Sequence, residues 1–350
     1  MSIESIVLDV IEERKRAPFL KGCFYVLGLF FQVGTKIRHF LYDLGICKSY
    51  KSSSYIISVG NIVAGGTGKT PLVRKLVNDV IKGTGSVAVI SRGYRSKKRK
   101  GNLQISQGKG PLVPSLVSGD EPYWLAKETS AAIFVGKDRV TSAKLAEKKN
   151  IHVCILEDGF QHRAIKKDQE IVLLDALDLF GKGYFLPRGY LRDSPKRLVK
   201  ADLVVVTHLT TGFSKEEILK KIRSFTKAPV VGFRSVFLLD KSVENALVGA
   251  FCGIAKPGLF YDALKSKGCQ IVKSMTFPDH IAPSLEELTY FALDCKQKGA
   301  AFLVCTEKDL VKLPELQGFP LPISPLKMDL ECIWNENLWK EMCQSIKNRV

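Results

Sequence analysis

Short apolar runs alternate with amphipathic segments along residues 54–206. The runs have the length of buried parallel strands, and the segments between them have the spacing of helices. The predicted strands cover residues 55–59, 87–91, 133–135, 151–156, 171–175 and 203–207. This alternation predicts an α/β fold built on a doubly wound, mostly parallel sheet.

The pattern restarts after residue 229 and predicts a smaller C-terminal α/β domain. With 350 residues, 45% of them hydrophobic, the chain is long enough to bury one large and one small core. We expect residues 232–240 to join the two units as a ribbon and the last helix, at 335–346, to pack back on the first. The predicted division is a helical region at 1–50, a phosphate-binding domain at 51–230, the smaller domain at 231–332 and a C-terminal helix at 333–350.

Residues 22–34 are apolar on nearly every side, with Lys21 before them and Lys36 and Arg38 after them. A helix of these 13 residues would be about 20 Å long at ~1.5 Å per residue, too short for a hydrocarbon core of ~30 Å. We therefore predict a helix associated with the membrane interface, with a buried core helix as the alternative. A signal peptide is disfavoured because acidic residues precede the segment and no small-residue cleavage site follows it.

Positive charge is concentrated in one part of the chain. The net charge is +18, and residues 51–110 contain twelve Lys or Arg but a single acid, Asp79. Such a concentration favours an anionic partner, which could be nucleic acid, anionic lipid or a phosphorylated substrate. The densest run, at 95–100, has no interleaved aromatic residues on which bases could stack, so nucleic acid is not the expected partner. A solvated surface loop is the simplest interpretation of that run.

Nine cysteines are scattered along the chain without any C-x-x-C pair, several of them inside apolar runs. An odd, dispersed set is typical of free thiols in a reducing compartment. It favours neither a disulfide framework nor a zinc site.

A glycine-rich turn, SVGNIVAGGTGKTP at residues 58–71, joins the first predicted strand to a helical pattern at 72–81. This is the context of a phosphate-binding loop, in which backbone N–H groups and the start of a helix surround an anion. Lys69 can reach the outer phosphates and Thr70 can ligate magnesium, although the strict pattern would have glycine where this chain has Val63. The motif predicts a P-loop NTPase-like fold that binds a nucleoside triphosphate. The predicted nucleotide-binding residues are Gly65, Gly66, Thr67, Gly68, Lys69 and Thr70.

Acidic residues occur at two further places that suit magnesium. Glu157 and Asp158 directly follow the predicted strand at 151–156, at the edge where parallel sheets bind their ligands. Asp120 and Glu121 stand at a turn that opens a helix, where Asp120 could simply cap that helix. A magnesium ion needs oxygen ligands beside the phosphates. The predicted metal ligands are Thr70, Glu157, Asp158 and Glu121.

Eight motifs occur in one order along residues 38–313, namely GNIVAGGTGKTP, SRGY, GDEP, VGKDR, EDGFQH, LPRGYLRD, FPDH and TEKD. This set resembles that of the tetraacyldisaccharide 4′-kinase family, whose members phosphorylate the lipid A precursor of Gram-negative bacteria. The chain departs from the family pattern at Glu157, Asp193 and Ile281, where Asp, Glu and a second His are usual. The first two departures keep a carboxylate and move it by one methylene group.

The resemblance implies an activity, a location and cofactors. The activity is transfer of phosphate from ATP, with Mg²⁺, to the 4′-hydroxyl of a tetraacyldisaccharide 1-phosphate. Because acyl chains anchor that lipid in the bilayer, the resemblance implies a peripheral or monotopic enzyme on the cytoplasmic face of the inner membrane. The expected partners are the acylated disaccharide 1-phosphate and the membrane surface, not nucleic acid, and we expect a monomer.

Phosphoryl transfer to a sugar also needs a group that takes the proton of the attacking hydroxyl. We predict Asp120 for this role, and because an exposed aspartate is a weak base, a partner should orient it or share its proton. His280 in FPDH is the best partner among the five histidines, with a capped loop histidine as the alternative, and the family resemblance names the same Asp–His pair. The predicted catalytic residues are Asp120, His280 and Lys69. Substrate contacts are predicted for Arg92, Tyr94, Gln161, His162, Arg192 and Asp193, with surface salt bridges as the alternative for both arginines.

Two other function classes stay open on the residues alone. A regulatory GTPase would recognise guanine through [NT]-K-x-D, and TEKD at 306–309 is one residue out of register with that pattern. A nucleic-acid-dependent ATPase is suggested only by the charge, and salt-dependent retention of nucleic acid strands would support it.

Overall fold

The protein is described from a computed structural model. The structure describes residues 3–12, 14, 17–81, 86–93, 96, 101–210, 212–254, 257–278, 283–313 and 318–348. The predicted site residues Tyr94 and His280, and nearly all of the basic run at 95–100, lie outside the described residues.

Twelve strands in the described part of the chain form one sheet. They are β1 Tyr55–Asn61, β2 Val87–Ser91, β3 Leu103–Gln107, β4 Ala132–Val135, β5 Val153–Glu157, β6 Gln169–Asp175, β7 Leu203–Thr207, β8 Val230–Leu238, β9 Leu247–Cys252, β10 Gln270–Thr276, β11 Phe302–Thr306 and β12 Ile323–Trp334. Their order is β10-β9-β11-β12-β8-β7-β6-β1-β5-β2-β4-β3. Neighbouring strands are parallel except for the pairs β3–β4 and β8–β12. The predicted mixed α/β fold with a mostly parallel sheet is confirmed.

Helices cover both faces of this sheet. They are α1 Ile3–Ile11, α2 Pro18–Asp43, α3 Lys69–Ile81, α4 Ser115–Ser118, α5 Asp120–Glu128, α6 Arg139–Glu147, α7 Lys215–Arg223, α8 Pro257–Ser266, α9 Leu285–Gln297, α10 Glu307–Leu310 and α11 Glu336–Lys347. Two short 3₁₀ helices cover Gly181–Gly183 and Pro195–Lys200.

The central strands are buried on both faces, which explains their continuous apolar sequences. In β1, Ile57 belongs to the apolar cluster under α3, while Ile56 belongs to the cluster under α6. Helix α3 contributes Leu72 and Leu76, which recur at the spacing of one helical face. Because β1 lies between β5 and β6 in the centre of the sheet, the loop that follows it opens at a rigid edge.

An antiparallel ribbon links the two ends of the sheet. The segment predicted to connect the units, at 232–240, lies mostly in β8, and β12 pairs with it from Lys327 to Trp334. The parallel strands β10, β9 and β11 continue the sheet beyond this ribbon. The apolar pattern did not predict β3 or β12. Most residues of both strands are half-buried or exposed, so neither has the continuous apolar run of a central strand.

Helix α2 is twice as long as predicted, with 26 residues against the 13 of the apolar segment. Its second half carries polar residues yet remains helical, because contacts with the rest of the protein support it. Among the described residues, no helix is both long enough and apolar enough to cross a bilayer. Gly28 faces the Phe185 carbonyl, where an added Cβ would lie only 3.1 Å away, so the small residue permits close packing of α2.

Many large apolar side chains of α2 are exposed, including Phe19, Tyr25, Val26, Leu27, Leu29, Phe30, Phe31, Val33, Ile37 and Phe40. A concentration of exposed apolar side chains on a protein surface marks an interaction site.

At the other end of the chain, α11 packs on α3, where Trp339 Nε1 donates to Asp79 at 2.7 Å.

Candidate active site

The loop between β1 and α3 has the backbone that a phosphate site needs. Gly65 and Gly68 have φ angles of +110° and +80°, a region that residues with side chains rarely adopt. Asn61, the last residue of β1, donates to the Thr67 hydroxyl at 2.8 Å. Thr207, at the end of β7, donates to the Thr67 carbonyl at 2.9 Å. The loop is therefore held from both sides, and the first turn of α3 directs its N–H groups into it.

Glu157, the last residue of β5, faces this loop. It is 4% exposed and accepts a hydrogen bond from the Thr70 hydroxyl at 2.9 Å. Burial and the charge of Glu121 together raise the pKa of Glu157 to about 7, against the hydrogen bonds from Ser91 and Thr70. A carboxylate and a hydroxyl thus stand together where the metal of a P-loop site is held.

Asp158 is paired with cations. The Arg192 guanidinium donates to both of its oxygens, at 2.7 and 3.0 Å, and Lys69 Nζ lies 3.5 Å from Oδ1. Burial works against its ionisation, but Arg192 and Lys69 outweigh burial and hold the pKa of Asp158 well below its usual range. Arg139 donates to the Asp158 carbonyl at 2.8 Å. Asp158 therefore holds several cationic side chains in place beside the phosphate loop.

Lys69, the first residue of α3, is largely enclosed by this arrangement. Burial lowers its pKa, and the nearby carboxylate of Asp158 opposes the decrease. A partly desolvated ammonium group is strongly stabilised when an anionic phosphate binds beside it, because little water screens the interaction.

Asp120 and Glu121 begin helix α5. The N-cap of this helix is Gly119, and no side chain caps it, so the alternative in which Asp120 caps the helix is wrong. Glu121 forms a salt bridge of 3.0 Å with Lys308 of α10. Glu121 therefore stands between the phosphate loop and α10, and Asp120 precedes it at the start of α5. The predicted pairing of Asp120 with His280 stays a prediction, since His280 lies outside the described residues.

Comparisons with known proteins agree with this site. A sequence profile of the family described as tetraacyldisaccharide-1-P 4′-kinase matches residues 20–347. A tetraacyldisaccharide 4′-kinase of Chlamydia abortus is 38% identical over 300 residues, covering 82% of this chain and 81% of the relative. One of Syntrophus aciditrophicus is 34% identical over 342 residues, covering 91% and 90%. The chain belongs to the tetraacyldisaccharide 4′-kinase family.

A solved structure extends the family match to the fold. The crystal structure of an "apo" form of LpxK from Aquifex aeolicus in complex with ATP aligns with a TM-score of 0.75 at 29% identity. The alignment covers 93% of this chain and 99% of that one. The family resemblance and the prediction of a lipid kinase are confirmed, and the kinase family replaces the GTPase and nucleic-acid-dependent ATPase alternatives.

The residues of the kinase site fit a divalent cation that also binds phosphate. Among the residues that the structure describes, no three His, Cys, Asp or Glu side chains are grouped as a complete metal cage. A P-loop site does not need one, because phosphate oxygens and water complete the coordination of magnesium. Thr70 and Glu157 fit this role, and Glu121 is near enough to raise the pKa of Glu157. Asp158 fits it less well because two cations already occupy its oxygens.

The predicted substrate residues occupy different positions. Gln161 donates to the Asn61 carbonyl at 2.7 Å, beside the phosphate loop. Burial and nearby cations such as Arg139 together lower the pKa of His162 to about 4, so this ring is neutral at pH 7. Arg92 is exposed at the end of β2, while Arg192 holds Asp158.

Asp193 differs from its prediction as a substrate residue. Its side chain is almost fully buried, 3.1 Å from Nε2 of His39 on α2. The backbone N–H of Asp193 bonds to the Ile62 carbonyl, and the carboxylate points into the protein towards His39. In this structure Asp193 joins two parts of the protein and presents no oxygen to a substrate.

Sequence reasoning did not identify Asn61, Arg139, Thr207 or His39 as parts of the site. Asn61 and Arg139 lie inside the motifs GNIVAGGTGKTP and VGKDR, so those motifs carried the signal that could have identified them. Thr207 and His39 had no local signal, because their contacts depend on segments far away in sequence.

Proposed function

We propose that this protein transfers the γ-phosphoryl group of ATP to the 4′-hydroxyl of a tetraacyldisaccharide 1-phosphate, as a step of lipid A biosynthesis. One observation carries the proposal: in a chain of this family, Lys69, Thr70 and Glu157 meet at a phosphate loop with a carboxylate pKa of about 7. That arrangement suits a triphosphate with its divalent cation.

Each residue of the phosphate site has a role in the proposal. Lys69 and the amides of residues 65–68 bind the outer phosphates, and Lys69 stabilises charge that develops on the transferring group. Thr70 and Glu157 would hold Mg²⁺, with Glu121 close by. The cation would neutralise phosphate charge. Asp158 keeps Lys69 and Arg192 beside each other in spite of their like charges.

Asp120 is the proposed base for the acceptor. It would take the proton of the 4′-hydroxyl as the oxygen attacks phosphorus, and His280 would orient the carboxylate or share the proton. The position of Asp120 at the start of α5, next to the residue that bridges to α10, supports a role at the junction of the two halves of the sheet. The exposed Arg92 could meet a phosphate or sugar of the substrate.

Helix α2 supports a location at the membrane. Its exposed apolar side chains would enter the interface of the bilayer, near the acyl chains of the substrate. The proposed location is the cytoplasmic face of the inner membrane, with the protein acting as a monomer. Deleting residues 19–34 should release the protein from liposomes and raise the apparent KM for lipid while ATP binding changes little. A deletion variant that is unfolded would favour the core-helix alternative instead.

The activity has a direct test. Purified protein, ATP labelled at the γ-phosphate and a tetraacyldisaccharide 1-phosphate are combined in detergent micelles with Mg²⁺. Label should appear in the lipid and depend on the metal. GTP in place of ATP measures nucleotide preference, and a disaccharide without the 4′-hydroxyl is the acceptor control. Release of free phosphate with no labelled lipid would contradict the proposal.

A further inference from the structure

Helix α2 is bonded near its carboxyl end to two loops that carry site residues. His39 Nε2 lies 3.1 Å from Oδ2 and 3.2 Å from Oδ1 of Asp193. Arg163 donates to the His39 carbonyl at 2.8 Å, and Arg38 donates to the Gln161 carbonyl. The helix therefore holds both the loop that follows β5 and the loop that contains Asp193.

His39 is an exception among the residues around it. Its exposed fraction is 7%, whereas those of Ile37 and Phe40 are 54% and 61%. Asp193 is 1% exposed and accepts a further hydrogen bond from the Ser194 N–H at 2.8 Å. A buried carboxylate needs such partners, because an unpaired buried charge is strongly disfavoured. Removal of the imidazole would therefore displace Asp193 or admit water to it.

Asp193 is one peptide bond away from the phosphate site. The N–H groups of Arg192 and Asp193 both donate to the carbonyl of Ile62, the first residue after β1, at 2.8 and 3.1 Å. The Arg192 guanidinium donates hydrogen bonds to both carboxylate oxygens of Asp158, and Oδ1 of Asp158 lies 3.5 Å from Lys69 Nζ. A displacement of Asp193 would thus move Arg192 and, through it, the carboxylate beside Lys69.

We propose that His39 is a positioning residue. Through Asp193 and Arg192, it makes the geometry of the phosphate site depend on how α2 packs against the protein. The inference rests on the proposed function. Its consequence is that one side chain of the helix at the membrane influences nucleotide binding and kcat, beyond any effect on access to lipid. Small movements suffice, since a displacement of about 1 Å among reacting groups can cost on the order of 10² in rate.

Three substitutions at position 39 test the contact. His39→Gln puts an amide nitrogen near the place of Nε2, His39→Asn reaches only the place of Nδ1, and His39→Ala removes both. Binding of a fluorescent ATP analogue is measured without lipid, so that membrane affinity has no influence. We expect His39→Ala and His39→Asn to bind about tenfold more weakly and to lose about tenfold or more in kcat, and His39→Gln to stay within about threefold of the parent. Parental nucleotide affinity and kcat in His39→Ala would overturn the inference.

The control replaces a histidine elsewhere. His152 is exposed just before β5, with Nδ1 3.3 Å from the Ser86 hydroxyl. His152→Ala should keep parental nucleotide affinity. All variants are compared at a temperature where thermal unfolding shows each to be folded. If His39→Ala does not fold, the contrast between the Gln and Asn variants carries the test, and equal behaviour of those two would overturn the inference.

A double-mutant cycle tests the route through Arg192. His39→Ala and Arg192→Ala are made singly and together, and nucleotide affinity is measured for each. Because both act on Asp158 in the inference, the double variant should lose little more than the worse single one. Strictly additive losses, or a His39 effect confined to the KM for lipid, would overturn it. The binding assay needs no acceptor, so intact ATP binding without lipid phosphorylation would count against the proposed function alone.

Discussion

Two glutamates, the buried Glu157 and the half-buried Glu307, stand at the carboxyl ends of parallel strands but have different neighbours. Glu157 ends β5 and accepts a hydrogen bond from Thr70 of the phosphate loop. Glu307 follows β11 and accepts one from the Met328 N–H at 3.1 Å, with an Arg74 nitrogen 3.7 Å away. The first therefore faces a ligand site, whereas the second joins α3 to β12.

The electrostatic surroundings make the same distinction. Burial raises the pKa of both glutamates. At Glu307 the Met328 N–H and the Arg74 charge oppose the increase and the charge of Glu128 adds to it. At Glu157 the charge of Glu121 adds to the increase, and hydrogen bonds from hydroxyl groups oppose it. A carboxylate at the end of a strand therefore has a structural role where the protein supplies the cation, as at Glu307. It is a candidate metal ligand where a hydroxyl and another acid lie beside it, as at Glu157.

The largest expected effect lies on the phosphate side. Lys69→Ala should leave a folded protein whose kcat is lower by about 10³ or more, because the variant lacks the charge that follows the transferring phosphoryl group. Lys75→Ala on the same helix is the control, since Lys75 pairs with Asp79 at 3.3 Å, away from the loop. A Lys69 variant within tenfold of the parent would remove this residue from the mechanism.

The next effect tests whether the two halves of the sheet act together. Asp120→Ala and His280→Ala should each lower kcat by about 10² to 10³, and the double variant should lose little more than the worse single one. Asp120→Glu should not restore the rate, because the added methylene displaces the base by about 1 Å. Additive losses would show that Asp120 works without His280. The assay is single-turnover transfer at saturating ATP.

Glu157→Gln tests most directly whether Glu157, unlike Glu307, is a metal ligand. Glutamine can keep the hydrogen bond with Thr70 but lacks the charge of a metal ligand, so we expect about 10² lower kcat and about tenfold or more weaker Mg²⁺ binding. Activity titrated against Mg²⁺ measures both. Unchanged metal dependence would move the ligand role to Glu121.

The pKa of Glu157 also predicts a dependence of stability on pH. Its value of about 7 in the folded protein lies above the ordinary 4.5, so the folded state holds the proton more tightly. That stabilisation is complete below pH 4.5 and is lost as pH rises towards 7. Urea unfolding in EDTA should show Glu157→Gln gaining on the parent over this range, by up to about 3 kcal/mol. A parallel pH profile for the two proteins would contradict the raised pKa.

Glu307→Gln should have the smallest effect on catalysis. Arg74 keeps its contact of 3.0 Å with Asp329 in this variant, so we expect a loss of about 1 kcal/mol in the free energy of unfolding and kcat within about threefold of the parent. Denaturant unfolding and the transfer assay measure the two quantities. A loss of rate as large as that of Glu157→Gln would erase the distinction between the two glutamates.

Much of the fold followed from local patterns. The strand at 203–207 was predicted at its observed limits, and β1 and β5 were found within two residues at either end. These strands are buried on both faces, so their sequences are apolar throughout. Strands β3 and β12 escaped prediction because most of their residues are half-buried or exposed, and the second half of α2 escaped because its support comes from other segments.

The sequence predicted which residues belong to the candidate site better than it predicted which of them contact one another. The spacing of glycines before Lys69 and Thr70 identified the phosphate loop, because a local turn and helix start create that site. Which carboxylate faces the metal could not be predicted, since Glu157 and Asp158 are adjacent and only the directions of their side chains differ. Asp193 shows the same limit: its residue type suited a substrate contact, and its packing against His39 gave it another position.

The α/β architecture, the phosphate loop and the kinase family could be predicted from local sequence, because helix and strand periodicity and short motifs depend on neighbours along the chain. Folding was needed to bring Thr70 to Glu157 across 87 positions and His39 to Asp193 across 154. It also decided the pKa of Glu157, which depends on burial and on the charge of Glu121. The energies of such contacts arise from distance and from the exclusion of water, and both are created only when remote segments fold together.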